Sequence, residues 1–453
     1  MRVFLAILLC KVTRLILRMM HRGGTALPGK VAMKVCPQLL HVLAKDVKCV
    51  VVTGTNGKTT SSRMIEQAYS DAGYNYFSNR SGANLMSGIT AEFAMHSSIL
   101  GRPKCEYAVI ECDEAATKQV FKLMSPQVIV VTNIFRDQLD RYGEITHTLD
   151  NIRTGILNTP QSTVCLNSDC SLTASLADDI PNKVVFYGVD VPLYSAPVEE
   201  LSDAAYCIRC KAEYKYDYKT YGHLGGYYCP NCGYRRKRPD VAVVEVLEQS
   251  ADSSTVIMDV FGEKEQVFIN LPAGYNIYNA TGSIAALVTV GFSIEAALRA
   301  VAGFTCGFGR LEKLDLGNTS LRMILVKNPA GCNQVLNFLS ELKDEYILVI
   351  CLNDNTADGT DVSWIWDVEF ERLCSMREQV GSVFVSGIRC YDMALRLKYA
   401  GIDHVTVEKD YDLLLKNITN QPKPVYVIPT YTAMLDLRER ISKNFGIKEF
   451  WEL

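Results

Sequence analysis

The sequence predicts an α/β protein with two sheet-containing domains and a small cysteine-rich insert in the first. Three observations carry this. From residue 46, short β-branched runs alternate with helical stretches: KCVVVTG (48–54), EYAVIECD (106–113), PQVIVVTN (126–133), STVCLN (162–167) and KVVFYG (183–188). Apolar runs of that length read as strands covered on both faces, as in a parallel sheet. The alternation then stops. Residues 207–239 are rich in Tyr, Gly, Cys, Lys and Arg and poor in aliphatics, and three strand-like runs without helices between them follow, as expected of antiparallel neighbours. From about Thr319 it resumes with LRMILV, EYILVICL, SVFVSG, HVTVE and PVYVIP, which implies a separate, smaller Rossmann-like α/β domain. The expected organisation is a lead-in over 1–45, a central domain over 46–315 with its insert at 205–239, and a C-terminal domain over 316–453.

The opening stretch, MRVFLAILLCKVTRLILRMMHRGG, places Leu5, Leu8, Leu9, Val12, Leu15 and Ile16 at helical spacing, so it is an amphipathic helix. Its longest uncharged run, Val3 to Cys10, falls far short of the roughly 20 residues a membrane span needs. No small-residue cleavage site follows it. The expectation is a helix packed on the body, with peripheral membrane contact as the alternative.

A chain of 453 residues with 48% apolar residues and a net charge of −3 is a globular protein without a global basic field for nucleic acid. Most of its 16 cysteines stand singly in apolar runs (Cys105, Cys112, Cys165, Cys351, Cys390) and read as small buried hydrophobes in a reducing cytoplasm.

The stretch VVVTGTNGKTT (50–60) joins the first strand to a helix. Its glycines let backbone N–H groups turn toward phosphate, and the helix N-terminus adds a favourable dipole. Lys58 can neutralise phosphate charge and the Thr59 hydroxyl can hold Mg²⁺. The common GxxxxGK[ST] spelling wants glycine at 52 and finds Val52, but strand, turn and helix fall in the required order. Thr55, Asn56, Gly57, Lys58, Thr59 and Thr60 are therefore the candidate ATP-binding loop.

In the insert, CIRC and CPNC place Cys207, Cys210, Cys229 and Cys232 as two CxxC pairs, a spacing suited to tetrahedral Zn²⁺. Four thiolates close the coordination sphere, so such a zinc would be structural and would replace a hydrophobic core. The basic run YRRKRP (234–239) raises nucleic-acid contact as an alternative; a solvated loop face is the plainer reading.

TGTNGKTT resembles the ATP loop of the Mur ligase family of amide-forming enzymes, and further matches follow in that family's order. Glu111, in VIECDEA, ends a strand where the family holds Mg²⁺ with a glutamate. TNIFRDQLDRYGE resembles its TN…DHLD segment. LPAGYNIYNATGSIAA resembles its GxxNxxNxxAA helix, which implies nucleotide contacts for Asn276 and Asn279. GFGRLE resembles its GRxE segment, with Arg310 near the phosphates. The chain departs from the family at Gln138, where a metal-binding histidine is usual, and at Ile324 and Lys327, which stand for the Asp and His of a D-x-x-H-x-P segment. The resemblance implies kept ATP chemistry and a rebuilt substrate side.

The C-terminal domain carries LNDNTADGTDVSWIWD (352–367). With a zinc-ribbon pattern inside a Mur-like ATPase, this spelling resembles the MurT family of synthetase subunits. That resemblance implies ATP-driven activation of the α-carboxylate of D-isoglutamate in the lipid II stem peptide as an acyl-phosphate. Displacement by ammonia would give D-isoglutamine, at the cytoplasmic face of the plasma membrane. The ammonia would come from a GatD-type glutaminase, the other half of a heterodimer. A glutaminase needs a Cys activated by a nearby His, and none of the six histidines here (His21, His41, His96, His147, His223, His404) has such a context. The resemblance makes an aspartate of this segment the third member of the partner's triad, a role that needs no local nucleophile. Asp361 is preferred over Asp358. Asp354 and, in part, Asp367 read as turn or cap residues, and Trp364 and Trp366 as core or interface anchors. The alternatives are a stand-alone Mur-type amino-acid ligase and a non-enzymatic zinc-ribbon ATPase that binds nucleic acid.

Overall fold

The computed structural model describes residues 1–20, 26–79, 83–136, 145–194, 202–305 and 310–447. The central domain is built on β1 (Lys48–Thr53), β2 (Tyr76–Ser78), β3 (Tyr107–Glu111), β4 (Val128–Val131), β5 (Thr163–Asn167) and β6 (Val184–Val189), extended by β9 (Val241–Gln249), β10 (Ser254–Val260) and β11 (Glu263–Ile269). Together they form one sheet in the order β11-β10-β9-β6-β5-β4-β1-β3-β2, parallel from β2 to β9 and antiparallel from β9 to β11. The pattern of β1 explains its central place. Val50 and Val52 enter one core while Cys49 and Val51 enter the other, so the apolar run Cys49–Val52 is buried on both sides. β10 instead alternates buried and half-buried positions, as fits a sheet with one wet face.

The insert holds a two-stranded antiparallel hairpin, β7 (Lys215–Tyr221) and β8 (Leu224–Tyr228). Three helices, Arg2–Met19, Ala26–Val35 and Leu39–Ala44, precede β1 and pack on the helix Met86–Met95. The first is tied down by Arg14, which donates to Glu92 at 2.6 Å, and by Lys11, which donates to the Ser97 carbonyl at 2.5 Å.

The C-terminal sheet runs β12-β13-β17-β14-β15-β16, from β12 (Arg310–Asp315), β13 (Ser320–Ile324), β14 (Tyr346–Cys351), β15 (Val380–Ser386), β16 (Val405–Val407) and β17 (Val425–Pro429). Here too the middle strand feeds two cores: Tyr346, Leu348 and Ile350 face one side, Ile347, Val349 and Cys351 the other. β12 corrects the expected boundary at 315/316. It pairs with β13 as a hairpin, so this sheet begins at Arg310. Contacts between the two domains include Arg136 to Asp367 (3.0 Å) and the Tyr194 hydroxyl to Gln334 (3.0 Å).

Candidate functional site

The loop after β1 turns into the helix Lys58–Asp71 through Gly57, whose φ of +87° is one that residues with a Cβ rarely adopt. A Cβ there would also stand 2.1 Å from Asn279 Oδ1, so glycine is what lets the helix Gly274–Thr289 approach the loop. Asn279 donates to Asn276 Oδ1 at 3.1 Å, and Asn276 donates to the Pro272 carbonyl at 2.7 Å, which fixes both amides beside the loop. From the other side, Asn133 accepts from the Asn56 N–H at 2.9 Å and donates to the Asn56 carbonyl at 3.1 Å. The Thr55 hydroxyl donates to the Phe135 carbonyl at 3.2 Å and accepts from the Phe135 N–H at 3.0 Å.

Lys58 is buried. Its Nζ donates to the Gly54 carbonyl (2.6 Å) and to Glu114 (2.9 Å). Burial works against the ammonium, but Glu114 and Glu111 outweigh it and hold its pKa above the ordinary lysine value. Burial pushes Glu114 up as well, against the pull of Lys58 and Lys327; with the lysine charged 2.9 Å away, the two stand as an ion pair. Beside them the Thr59 hydroxyl donates to Glu111 Oε2 at 2.5 Å, and the Asn84 amide donates to Oε1 at 3.0 Å. Asn79 clamps the Glu111 backbone on both sides, accepting from its N–H at 2.9 Å and donating to its carbonyl at 2.7 Å. A hydroxyl and a carboxylate at the mouth of a phosphate-type loop form a hard-oxygen donor set that suits Mg²⁺.

The loop, the asparagine pair and the C-terminal domain border an open cleft lined by Asn56, Gly57, Thr60, Asn276, Asn279 and, across the gap, Ile324 and Gln334. Asn328 reaches over from the C-terminal domain: its amide donates to Asn56 Oδ1 at 3.2 Å, while its own oxygen caps the helix Pro329–Ser340. Tyr221, at the end of β7, also lines the cleft, stacked near Phe135 with centroids 5.8 Å apart. The sequence reading missed Glu114, Asn84, Asn133, Asn328 and Tyr221. Glu114 lies three residues beyond Glu111, Asn133 lies in the TN pair, and Asn328 follows Lys327 in the stretch that stands for D-x-x-H-x-P; Asn84 and Tyr221 reach the site only through the fold. Gln138 lies outside the described residues, as does the Arg310 side chain.

The four cysteines come together as expected: Cys207, Cys210, Cys229 and Cys232 place their sulfurs within 4.8 Å of one another, a group that could hold a metal ion. Lys211 and Gly233, each one residue past a CxxC pair, have φ of +63° and +72°, so the chain turns tightly around each pair. The basic run is partly spent on docking. Arg236 donates to the fully buried Asp169 at 2.6 Å and pairs with Asp190 at 2.7 Å, and Asp169 also accepts from the Tyr278 hydroxyl at 2.5 Å. Breaking such a buried pair costs about 3–5 kcal/mol, so the insert is held firmly to the sheet. His223, at the hairpin turn, is wholly buried, and burial pushes its pKa down to about 3. It is neutral at any physiological pH.

In the C-terminal domain the aspartates have separate fates. Asp358 is buried and accepts from the Thr432 N–H (2.7 Å), the Thr432 hydroxyl (2.6 Å) and the Asn355 N–H (3.2 Å). Asp361 is exposed; Ser363 donates its N–H at 2.8 Å and holds the carboxyl below the usual aspartate range. Asp354 and Asp367 are ion-pair partners of Arg389 (2.8 Å) and Arg136 (3.0 Å), and Asp367 also ends the short 3-10 turn Ser363–Asp367. Trp364 packs on the core, whereas Trp366 is 49% exposed and meets Tyr399 edge-on.

Known proteins match both halves of this arrangement. The Mur ligase middle domain family matches residues 52–203 and the MurT ligase C-terminal family residues 325–434. The chain is 33% identical to the lipid II isoglutaminyl synthase (glutamine-hydrolyzing) subunit MurT of Streptococcus pneumoniae, over 97% of each chain. It is equally identical to the Staphylococcus aureus (strain COL) subunit of that name, over 98% of this chain and 99% of the other. Among solved structures, a pseudomurein peptide ligase type C from Methanothermus fervidus superposes with a TM-score of 0.65 at 19% identity, covering 88% of this chain and 79% of its own. The MurF ligase of Thermotoga maritima in complex with ADP gives 0.64 at 12%, covering 92% and 84%. Those two likenesses speak to the fold, a Mur ligase-like α/β arrangement with a C-terminal domain. Identity of one third along nearly the whole length speaks to more: the chain belongs to the MurT family.

Proposed function

We propose that this chain is the synthetase subunit of a glutamine-hydrolysing carbon–nitrogen ligase that amidates the peptide of lipid II during peptidoglycan synthesis. The observation that carries the reading is the Thr59–Glu111 hydrogen bond beside the Lys58–Glu114 ion pair where the loop enters its helix, in a chain one-third identical to subunits named for that activity. A carboxylate is a poor acyl donor. Phosphorylation by ATP turns the α-carboxylate of D-isoglutamate into an acyl-phosphate, and ammonia displaces phosphate to leave D-isoglutamine.

In this reading Thr55, Asn56, Gly57 and Thr60 hold phosphates through the loop and helix N-terminus, and Lys58 stays charged against them. Asn276, Asn279 and Arg310 contact the nucleotide. Thr59 and Glu111 would hold Mg²⁺, which when bound offsets phosphate charge.

Ammonia is mostly ammonium at neutral pH, so production in place is favoured, and a GatD-type glutaminase is the proposed source. Its docking site is the C-terminal domain. Tyr391, Leu395 and Tyr399 form one exposed stripe on the helix Cys390–Tyr399, beside exposed Trp366 and Ile388. Aromatic residues of this kind are enriched at protein interfaces. Arg389 ties this helix to the aspartate segment, pairing with Asp392 and Asp354 together. Asp361 offers an exposed carboxylate, held by Ser363, to a partner's imidazole, whereas Asp358 is buried and spent on Thr432.

The insert is proposed to be a zinc ribbon. Sulfur pairs at 3.4 Å (Cys210–Cys229) and 3.6 Å (Cys207–Cys232) approach the edge of about 3.8 Å that Zn–S bonds of about 2.3 Å impose on a tetrahedron. Metal analysis should return about one zinc per chain. The double variant Cys229→Ser/Cys232→Ser should lose it, melt several degrees lower and bind nucleotide more weakly, because the hairpin carries Tyr221 into the cleft. Unchanged melting with no zinc bound would remove the ribbon assignment.

The overall reading is tested by amidation of a lipid II analogue. With ATP and ammonium the chain alone should amidate; with glutamine it should need a co-purified glutaminase. Transfer of an amino acid without any partner would instead establish the stand-alone ligase.

A further inference from the structure

We infer that the outer face of the helix Arg2–Met19 is a contact surface for an anionic lipid bilayer, with the helix lying in the plane of the membrane. The helix carries two apolar faces. The inner one is spent: Ala6, Ile7 and Cys10 are fully buried, and Lys11 and Arg14 reach across to Ser97 and Glu92 of the body. The outer one is Leu5, Leu8, Val12, Leu15, Ile16 and Met19, each between 39% and 74% exposed. At 3.6 residues per turn these six fall within an arc of about 100°, so they form one stripe about four turns long, roughly 20 Å. Large exposed side chains scattered singly need no explanation, whereas a continuous stripe marks an interaction surface.

Charge selects the occupant. Residues 1–45 contain eight Lys and Arg and no Asp or Glu, in a chain whose net charge is −3, so the remainder is distinctly acidic. Arg2 and Arg18 lie on the two flanks of the stripe and are exposed, as are Lys30 and Lys34 on the adjoining helix Ala26–Val35. A second copy of this chain would bring its own cations against these. An anionic headgroup layer complements them, while the leucines enter the headgroup–acyl boundary. The helix is a surface element and not a span: no helix among the described residues is long and apolar enough to cross a membrane. The inference rests on the helix and its charge rather than on the amidation reading. If the acceptor is lipid-borne, the same contact would bring the cleft to the plane where that acceptor is found.

The test is flotation of the full chain with vesicles, without nucleotide or acceptor, so that its outcome is independent of whether the chain amidates anything. The protein should bind vesicles containing phosphatidylglycerol, bind pure phosphatidylcholine far less, and release as salt rises. Leu8→Gln/Leu15→Gln should weaken binding at least about tenfold, since the exposed area of both leucines leaves water on insertion and glutamine would carry a polar amide there instead. Arg18→Gln should lower binding and flatten the salt dependence. All variants should keep a melting temperature close to the parent's, because these side chains lie on the exposed face of the helix. Failure of the parent chain to bind anionic vesicles would overturn the inference, as would binding that the leucine variant leaves unchanged. Self-association abolished by the leucine variant, without vesicle binding, would assign the stripe to a second copy instead.

Discussion

Glu111→Ala should abolish amidation whether nitrogen arrives as glutamine or as ammonium. The carboxylate accepts from Thr59 and Asn84, and its backbone is clamped by Asn79, so the side chain can be removed without disturbing β3. What is lost is one of the two hard oxygen groups that would hold Mg²⁺, together with an anion that helps keep Lys58 charged. Stabilisation of several kcal/mol is typical of such a metal, and about 4 kcal/mol is about 10³ in rate. The expected loss in kcat is therefore at least about 10³, measured by formation of amidated product at saturating ammonium. Melting temperature should stay near the parent value. Full ammonium-driven activity in Glu111→Ala would remove this cleft from the reaction.

Asp361→Asn should separate the two nitrogen sources. A triad aspartate fixes the imidazole tautomer and stabilises the imidazolium, and its loss costs about 10⁴ in a serine protease. Asparagine keeps the shape and can still accept from the Ser363 N–H, so the complex should assemble as before. Glutaminase activity and glutamine-driven amidation should fall by several orders of magnitude, while amidation at high ammonium should persist because the ATP cleft lies elsewhere. Asp358→Asn is the informative control. It strains the Thr432 contacts that anchor the loop, so its effect should show first in melting temperature. Equal loss of both activities in Asp361→Asn would place the residue in the synthetase site, and unchanged glutaminase activity would make the segment structural.

Much of this was legible because it is local. The strands announced themselves by unbroken β-branched runs. The loop was readable because a phosphate cradle needs glycine and lysine within a few residues, and the cysteine cluster because two CxxC pairs need only a hairpin to meet. What stayed hidden depends on distant partners. Asp358 and Asp361 have similar surroundings in sequence, yet Thr432, 74 residues from Asp358, decides which one is buried. The ion pairs of Asp354 and Asp367 depend on Arg389 and Arg136, which only the fold brings to them. β12 carries little apolar periodicity of its own and joins the C-terminal sheet through β13, which in turn pairs with β17.

One amide would tie these two proposed activities together. Asn328 holds the first turn of a C-terminal helix with its oxygen and the nucleotide loop with its nitrogen. Under the proposed function, a displacement of the loop would be felt through this contact by the domain that carries Asp361. Linkage then requires reciprocity: the factor by which nucleotide changes the affinity for a glutaminase must equal the factor by which the glutaminase changes the affinity for nucleotide. A fuel site and an ammonia supply joined in this way would keep glutamine from being hydrolysed to no purpose, since the supply would be fully engaged only when the fuel is in place.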